Sequence, residues 1–292
     1  MITILRSVNK YLSLVKFSHT VFAMPFALIG FSLAVAREDS NFNIIPLLLI
    51  ILCMIFARNA AMGFNRLVDR KYDALNPRTK KREIPAGIIR TKAATIFVII
   101  NAVLFVVTTA FINKLTLFLS PVALIVVLGY SLTKRFTALC HFILGLGLSL
   151  APIGAYISIT GTFNIVPLVY SIIVLTWVSG FDIIYALQDD DFDKSNQLHS
   201  LPSARGRRKA LSISIFVHIM TILLVITAGY IGNGGVLFWT GAIIFISLLI
   251  YQHMIVKHDD LSKVNLAFGT TNGIASILFA IFVVFDLFFR YN

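Results

Sequence analysis

The stretch IIPLLLIILCMIFARNAAMGFNRLVDRKYD, residues 44–73, begins as an apolar run and ends in Asn65, Asp69 and Asp73. A helix needs about 20 apolar residues to cross the hydrocarbon core of a bilayer, so the stretch reads as a transmembrane helix that carries an acidic cluster at one end. Residues four apart share a helix face, with Cβ atoms roughly 5–6 Å apart. A second apolar run ends in YALQDDDFD, residues 185–193, where Tyr185, Asp189 and Asp193 each follow their counterparts by 120 residues. Two halves facing one site is the reading this offset suggests. Like charges stacked on one face repel each other. Two such clusters would converge on a divalent cation that binds a polyanion, which is the outline of a pyrophosphate site.

The rest of the chain agrees with a bilayer setting. Of 292 residues, 58% are hydrophobic and only 13% charged, and the mean hydropathy is +0.88, outside the range of a soluble domain. Nine membrane-length runs are expected, near 12–36, 44–66, 93–112, 115–133, 137–158, 164–188, 210–230, 235–256 and 265–289. They lack the alternation of a transmembrane barrel, so an all-helical integral membrane protein is predicted. Arg6, Lys10 and Lys16 among apolar neighbours, with no small-residue cleavage site, read as an interfacial helix rather than a signal peptide.

A net charge of +12 raises the question of nucleic acid, but the basic residues fall in short loops between the apolar runs. With the N-terminus in the cytoplasm, 21 Lys and Arg lie on that side and only Arg37, Lys114 and Arg290 on the other, with Arg58 inside a span. The positive-inside rule accounts for this asymmetry and puts both acidic clusters at the cytoplasmic face, so no nucleic-acid partner is expected. Cys53 and Cys140 offer neither a disulfide nor a Cys/His metal pattern.

No linker or low-complexity tract interrupts the runs, and residues 1–292 are expected to form one membrane-embedded domain. Two loops are long, RKYDALNPRTKKREIPAGIIRTK (70–92) and DDFDKSNQLHSLPSARGRRK (190–209). Each follows an acidic cluster and has an apolar residue before a proline, Ile84-Pro85 and Leu201-Pro202. They are candidate lids, and their likeness supports an internal repeat.

Asn65, Asp69, Asp73, Asp189 and Asp193 supply the hard oxygen ligands that Mg²⁺ prefers, and Mg²⁺ commonly joins a few carboxylates to substrate phosphates. Asp182, nearly two turns inside an apolar run, adds a carboxylate where an unpaired charge is costly, with Tyr185 further along the same helix. Asp190 and Asp191 point elsewhere, Asp191 being an outer-shell candidate. Arg78 and Arg82 lie on a loop able to fold over the site and can clamp phosphate oxygens by bidentate hydrogen bonds. Tyr130 and Lys134 share spacing four at a cytoplasmic helix end. Lys16, His19 and Arg58 lie in or near apolar runs. Arg58 is the least explained by topology and is a candidate for a substrate carboxylate.

The string NRLVDRKYDALNPRTKKREIPAG resembles the first signature of the UbiA superfamily of intramembrane prenyltransferases: an Asn, Asp at four and eight, then Arg-Thr, Arg and Pro-x-Gly. Asp182, Tyr185, Ala186, Asp189 and Asp193 resemble its second signature, and Tyr130 with Lys134 its tyrosine-lysine element. The resemblance implies nine helices around a central cavity, with a polar cytosolic cap and a lateral opening to lipid. It implies Mg²⁺ and diphosphate bound by Asn65, Asp69, Asp73, Asp189 and Asp193, and phosphate contacts from Arg78, Arg82 and Lys134. It also implies transfer of a polyprenyl group from a polyprenyl diphosphate to an acceptor ring, in a cell membrane of the bacterial inner-membrane kind. Arg66 departs from the many 4-hydroxybenzoate enzymes that carry Asp there.

The chemistry expected is ionisation of the allylic C–O bond, followed by attack from an electron-rich ring. An apolar cavity would dissolve the tail and exclude water, and Asp182 or Asp191 would favour deprotonation of the acceptor hydroxyl. An aromatic hydroxy acid of quinone biosynthesis, 4-hydroxybenzoate or a hydroxynaphthoate, is the expected acceptor. The alternatives are a tetrapyrrole acceptor with the same chemistry and, in another class, a multi-span secondary transporter. A transporter would place its charges near the midplane in broken helices rather than at one surface. A CDP-alcohol phosphotransferase would carry an Asp-Gly-x-x-Ala-Arg string, which is absent.

Overall fold

A computed structural model describes residues 10–11, 13–15, 22–37 and 43–291. Most of the N-terminal segment read as an interfacial helix, with Lys16 and His19, lies outside the described residues. Every regular element among the described residues is helical. Eight helices are long and apolar enough to cross a membrane. A ninth apolar helix, α1 (Met24–Arg37), is shorter at 14 residues and begins well inside the run expected at 12–36, Phe22 and Ala23 before it lying outside the α-helix.

α2 (Ile44–Leu75) runs 32 residues, well past the apolar stretch expected to end at 66. At 1.5 Å per residue it is about 48 Å long, against about 30 Å of hydrocarbon. Nothing in FNRLVDRKYDAL breaks a helix, so the helix stops only at Asn76, whose extended ψ of 120° is what a following proline demands. The acidic cluster therefore rides on a rigid rod. α3 (Thr91–Ala110), α4 (Lys114–Thr133) and α5 (Cys140–Thr160) follow. Asn113 caps α4 in a reciprocal box with Thr116.

α6 (Ile165–Ala186) carries Asp182 and passes through a tight 3₁₀ turn, Leu187–Asp189, into the short α7 (Asp190–Ser195). This corrects the expectation that Asp189 and Asp193 stack on one helix face. Asp189 closes the 3₁₀ turn with a non-helical φ of −113° while Asp193 lies within α7, and the two carboxylates point to different partners. α8 (Leu201–Arg205) is capped by Ser200 and leads into α9 (Arg207–Ile231). α10 (Val236–Ile255), a π-turn at Leu266–Thr271 and α11 (Asn272–Tyr291) complete the chain.

The helices form one ring of packed neighbours. α5 lies along α6, α6 along α9, α2 along α3, α1 along α5, and α10 along α11. The core is aromatic, with Trp177, Phe26, Phe245 and Phe279 fully buried together. The Trp177 indole N–H donates to Asn272 Oδ1 at 2.9 Å, a partner that an apolar interior makes obligatory. Gly145 lets α5 approach α6 closely, since a Cβ there would run into the Leu175 carbonyl and Ser179 Oγ. The outer faces of α3 and α4 expose Ile99, Ile100, Val103, Phe118 and Ile125, as lipid-facing surfaces do.

Both long loops are anchored rather than loose. Ile84 and Ile89 are buried against Leu67, Ala94 and Val98, while Leu201 is buried against Ile183, Ile184 and Leu187. The apolar residue before each proline thus pins its loop to the helix that brought the acidic cluster, and the basic residues stay over the space between.

Candidate active site

The ends of α2 and α6, the loop after each, and the C-terminal end of α4 enclose a polar cavity of about 290 Å³. Asn65, Asp69, Asp73, Asp182 and Asp189 line it, with Arg58, Arg66, Arg78, Arg82, Tyr130, Lys134 and Tyr185. Asp193 does not. A second cavity of about 410 Å³ adjoins it and is lined almost wholly by apolar side chains of α2, α4 and α5. Arg58, Met62, Tyr130, Leu144 and Leu148 border both, so a polar chamber opens across one arginine and one tyrosine onto a greasy one.

Within the polar chamber Asp69, Asp73 and Asp189 are each matched with an arginine. Arg78 forks onto Asp189 through Nε, at 3.0 Å, and through Nη2, while its Nη1 donates to the Tyr185 hydroxyl at 2.8 Å. Arg82 Nη1 reaches Asp73 at 2.6 Å, and Arg135 Nη2 reaches Asp69 at 3.3 Å and the Val68 carbonyl at 2.7 Å. Asn65 Nδ2 donates to the other oxygen of Asp69 at 3.0 Å. Asn76, which ends α2, donates to Asp189 at 3.0 Å and accepts from the Arg78 backbone N–H. One asparagine thereby joins the end of α2 to the second acidic cluster. Burial works against the charge of Arg78, but the hydrogen bond to Asp189 and the neighbouring Tyr185 outweigh it and hold the guanidinium above its ordinary value.

Asp193 has turned away from the cavity. Its side chain is fully buried, with Lys134 Nζ 2.7 Å from one oxygen and Ser200 Oγ donating to the other at 2.9 Å. Lys134 is likewise held above its usual value: burial opposes its charge, and Asp193, with Asp189 behind it, more than compensates. Ser200 also caps α8, so Asp193 ties the second loop to the end of α4. Asp190 is buried in a two-pronged pair with Arg207, at 2.8 and 2.7 Å. Asp191 is 83% exposed and reaches only Arg207, at 3.1 Å, which removes it from the chamber where it was expected in the outer shell.

Tyr130 stands at the boundary of the two cavities, with its hydroxyl 4.0 Å from Met62 Sδ. Lys134, one helical turn on, lines the polar chamber and is engaged by Asp193. Lys16 lies outside the described residues. Four participants were not singled out from sequence: Arg135, one of the basic residues counted on the cytoplasmic side, Asn76, Phe268, whose ring stacks on Tyr185 at 4.0 Å, and His141. His141, a lone histidine opening an apolar run, lies 2.7 Å from Asp182 through Nδ1.

Among the described residues no three His, Cys, Asp or Glu side chains converge as a ready-made metal cage. The donor set nonetheless suits Mg²⁺, which keeps waters and takes one or two carboxylates together with substrate phosphates. Asp73 Oδ2 is buried with no hydrogen-bond partner, and an orphaned carboxylate oxygen at a cavity wall fits the role of a ligand to such an ion.

The model of the UbiA prenyltransferase family matches residues 23–283. A 4-hydroxybenzoate octaprenyltransferase from Aliivibrio fischeri (strain MJ11) is 27% identical over 233 residues, covering 80% of this chain and 81% of that protein. The enzyme of the same name from Vibrio atlanticus (strain LGP32) is 28% identical over 251 residues, 86% and 87% of the two. Among solved structures, the apo UbiA homolog from Aeropyrum pernix K1 superposes with a TM-score of 0.79 at 26% identity, over 93% of this chain and 98% of that one. The UbiA homolog from Archaeoglobus fulgidus bound to DMAPP and Mg²⁺ has the same fold, with a TM-score of 0.77 at 20% identity over 95% and 99% of the chains. This chain belongs to the UbiA prenyltransferase family and is an integral membrane prenyltransferase.

Proposed function

We propose that the protein transfers a polyprenyl group from a polyprenyl diphosphate to the ring of an aromatic hydroxy acid, 4-hydroxybenzoate or a hydroxynaphthoate, in quinone biosynthesis. One observation carries this reading: a chamber of paired carboxylates and guanidinium groups opens past Arg58 and Tyr130 into an apolar cavity. A diphosphate with a long hydrocarbon tail is the ligand that needs both. The 4-hydroxybenzoate octaprenyltransferases among the relatives support the acceptor.

Asn65, Asp69, Asp73 and Asp189 would hold Mg²⁺, with Asp193 supporting the shell through Lys134 and the second loop. The ion supplies charge neutralisation for the leaving diphosphate. Arg78, Arg82 and Arg135 line the chamber, and their forked donors suit phosphate oxygens. The apolar cavity takes the tail and keeps water from the carbocation. Arg58, at the junction, binds the acceptor carboxylate and so presents the ring to the allylic carbon. We further propose that residues 1–292 act as one domain, in a bacterial inner membrane, with the chamber facing the cytoplasm.

Purified protein given Mg²⁺, geranyl diphosphate and each hydroxy acid in turn should yield the prenylated acid by mass spectrometry, and EDTA should abolish it. Failure with all of these acids would overturn the acceptor assignment.

A further inference from the structure

Four carboxylates line the polar chamber, and three of them, Asp69, Asp73 and Asp189, are each bound to a guanidinium. Asp182 is the exception. Among the described residues its partner is an imidazole, His141 Nδ1 at 2.7 Å on Oδ2. The backbone N–H of Leu201 points at His141 Nε2 from 3.2 Å. A backbone amide can only donate, so Nε2 accepts and the ring proton sits on Nδ1, donated to Asp182. The pair is thus joined by one hydrogen bond, from the imidazole Nδ1–H to the carboxylate. Asp182 Oδ1 receives no hydrogen bond among the described residues, and the side chain remains partly open to the chamber.

Position adds to this. Asp182 lies seven residues before Asp189, about 10 Å deeper at helical rise. That places it below the diphosphate end of the chamber, on a wall shared with Phe181 and Leu144. Leu144 also borders the apolar cavity. The other candidate bases on this wall are engaged: Lys134 by Asp193, and the Cys140 thiol by the His199 carbonyl it donates to at 3.5 Å.

We infer that Asp182 is the base that removes the ring proton in the transfer step, and that His141 is its positioning residue. The inference rests on the aromatic acceptor proposed above. The allylic C–O bond breaks with its electron pair leaving on the diphosphate. The acceptor carbon ortho to the hydroxyl forms the new C–C bond. The C–H electrons of that carbon then return to the ring as its proton passes to Asp182 Oδ1. His141 keeps Oδ2 occupied and the carboxylate aimed into the chamber. Because its other nitrogen is held by Leu201, the base is aligned only when the second loop is seated.

The test uses the full-length protein with Mg²⁺, geranyl diphosphate and 4-hydroxybenzoate, either unlabelled or deuterated at the ring carbons ortho to the hydroxyl. Diphosphate, geraniol and prenylated acid are measured together. In wild type, product should match diphosphate. In Asp182→Asn, product should fall by about 10²–10⁴-fold, the range of general-base catalysis, while diphosphate release persists, geraniol accumulates and the ring-deuterium isotope effect rises above the wild-type value. His141→Leu should move all three readouts the same way. His141→Asn, which offers an N–H near the Nδ1 position, should restore coupling. An unchanged product-to-diphosphate ratio and isotope effect in both Asp182→Asn and His141→Leu would overturn the inference, as would equal loss of diphosphate and product in variants with wild-type melting. If wild type releases diphosphate but prenylates no hydroxy acid, the acceptor reading has failed instead, and the proton-removal step with it.

Discussion

At the scale of single residues the site is a set of charges held in balance. Asp193 is fully buried and answered by Lys134 at 2.7 Å. Removing one partner of such a pair leaves an uncompensated charge, at a cost of about 3–5 kcal/mol, whereas replacing both with apolar groups is often neutral. Lys134→Met should therefore lower the melting temperature sharply in detergent, and Lys134→Met with Asp193→Leu should recover most of it. Activity would stay low in both if Lys134 also meets phosphate. Arg78 is different, because its fork on Asp189 and its contact with Tyr185 need a planar guanidinium. Arg78→Lys keeps the charge and loses the geometry. With charge-assisted hydrogen bonds worth about 1.5–3 kcal/mol, kcat/KM should drop by roughly tenfold to a hundredfold with little change in melting. Spacing-four arithmetic picked out Asn65, Asp69, Asp73 and Asp189 for one chamber. It failed for Asp193, whose direction depends on a 3₁₀ turn that no local propensity marks.

At the scale of elements, two local breaks shape the chamber. Asn76-Pro77 stops α2, and Asn76, the residue that caps its end, bonds both Asp189 and the Arg78 backbone. Asn76→Ala should leave the membrane helices intact while loosening the first loop, read as faster proteolysis between residues 76 and 90 and a raised KM for the diphosphate. Gly145 sets the distance between α5 and α6, one turn from His141 on the first and near Asp182 on the second. Gly145→Val would drive its side chain into the Leu175 carbonyl and Ser179. The helices must then separate, and both melting temperature and product formation should fall. Helix existence was readable from hydropathy alone. Helix ends were not, since α2 continues for nine residues beyond its apolar run, and only the following Asn-Pro marks where it stops.

At the scale of the molecule, the paired loops lie at one end of the helix ring. The ion pairs Arg78–Asp189, Arg135–Asp69 and Lys134–Asp193 join α2, α4 and α6 there. The loops at the other end, around Phe111 and Phe163, are short. With the positive-inside rule setting orientation, Thr162→Cys in a Cys53→Ser, Cys140→Ser background should react with an impermeant maleimide added to intact cells. Lys80→Cys should react only after the membrane is opened. The reverse pattern would invert the proposed topology.

The sequence by itself determined what local physics can encode. Hydropathy made the chain a membrane protein, four-residue spacing placed carboxylates on the face of α2, and the 120-residue offset showed that two acidic ends would meet. Tertiary structure alone decided which cation answers each carboxylate, why Asp193 leaves the chamber, and that His141 stands beside Asp182. Those partners lie 9 to 111 residues apart in the chain. Most are brought together by the packing of separate helices, and an ion pair or hydrogen bond exists only at the few ångströms that packing sets.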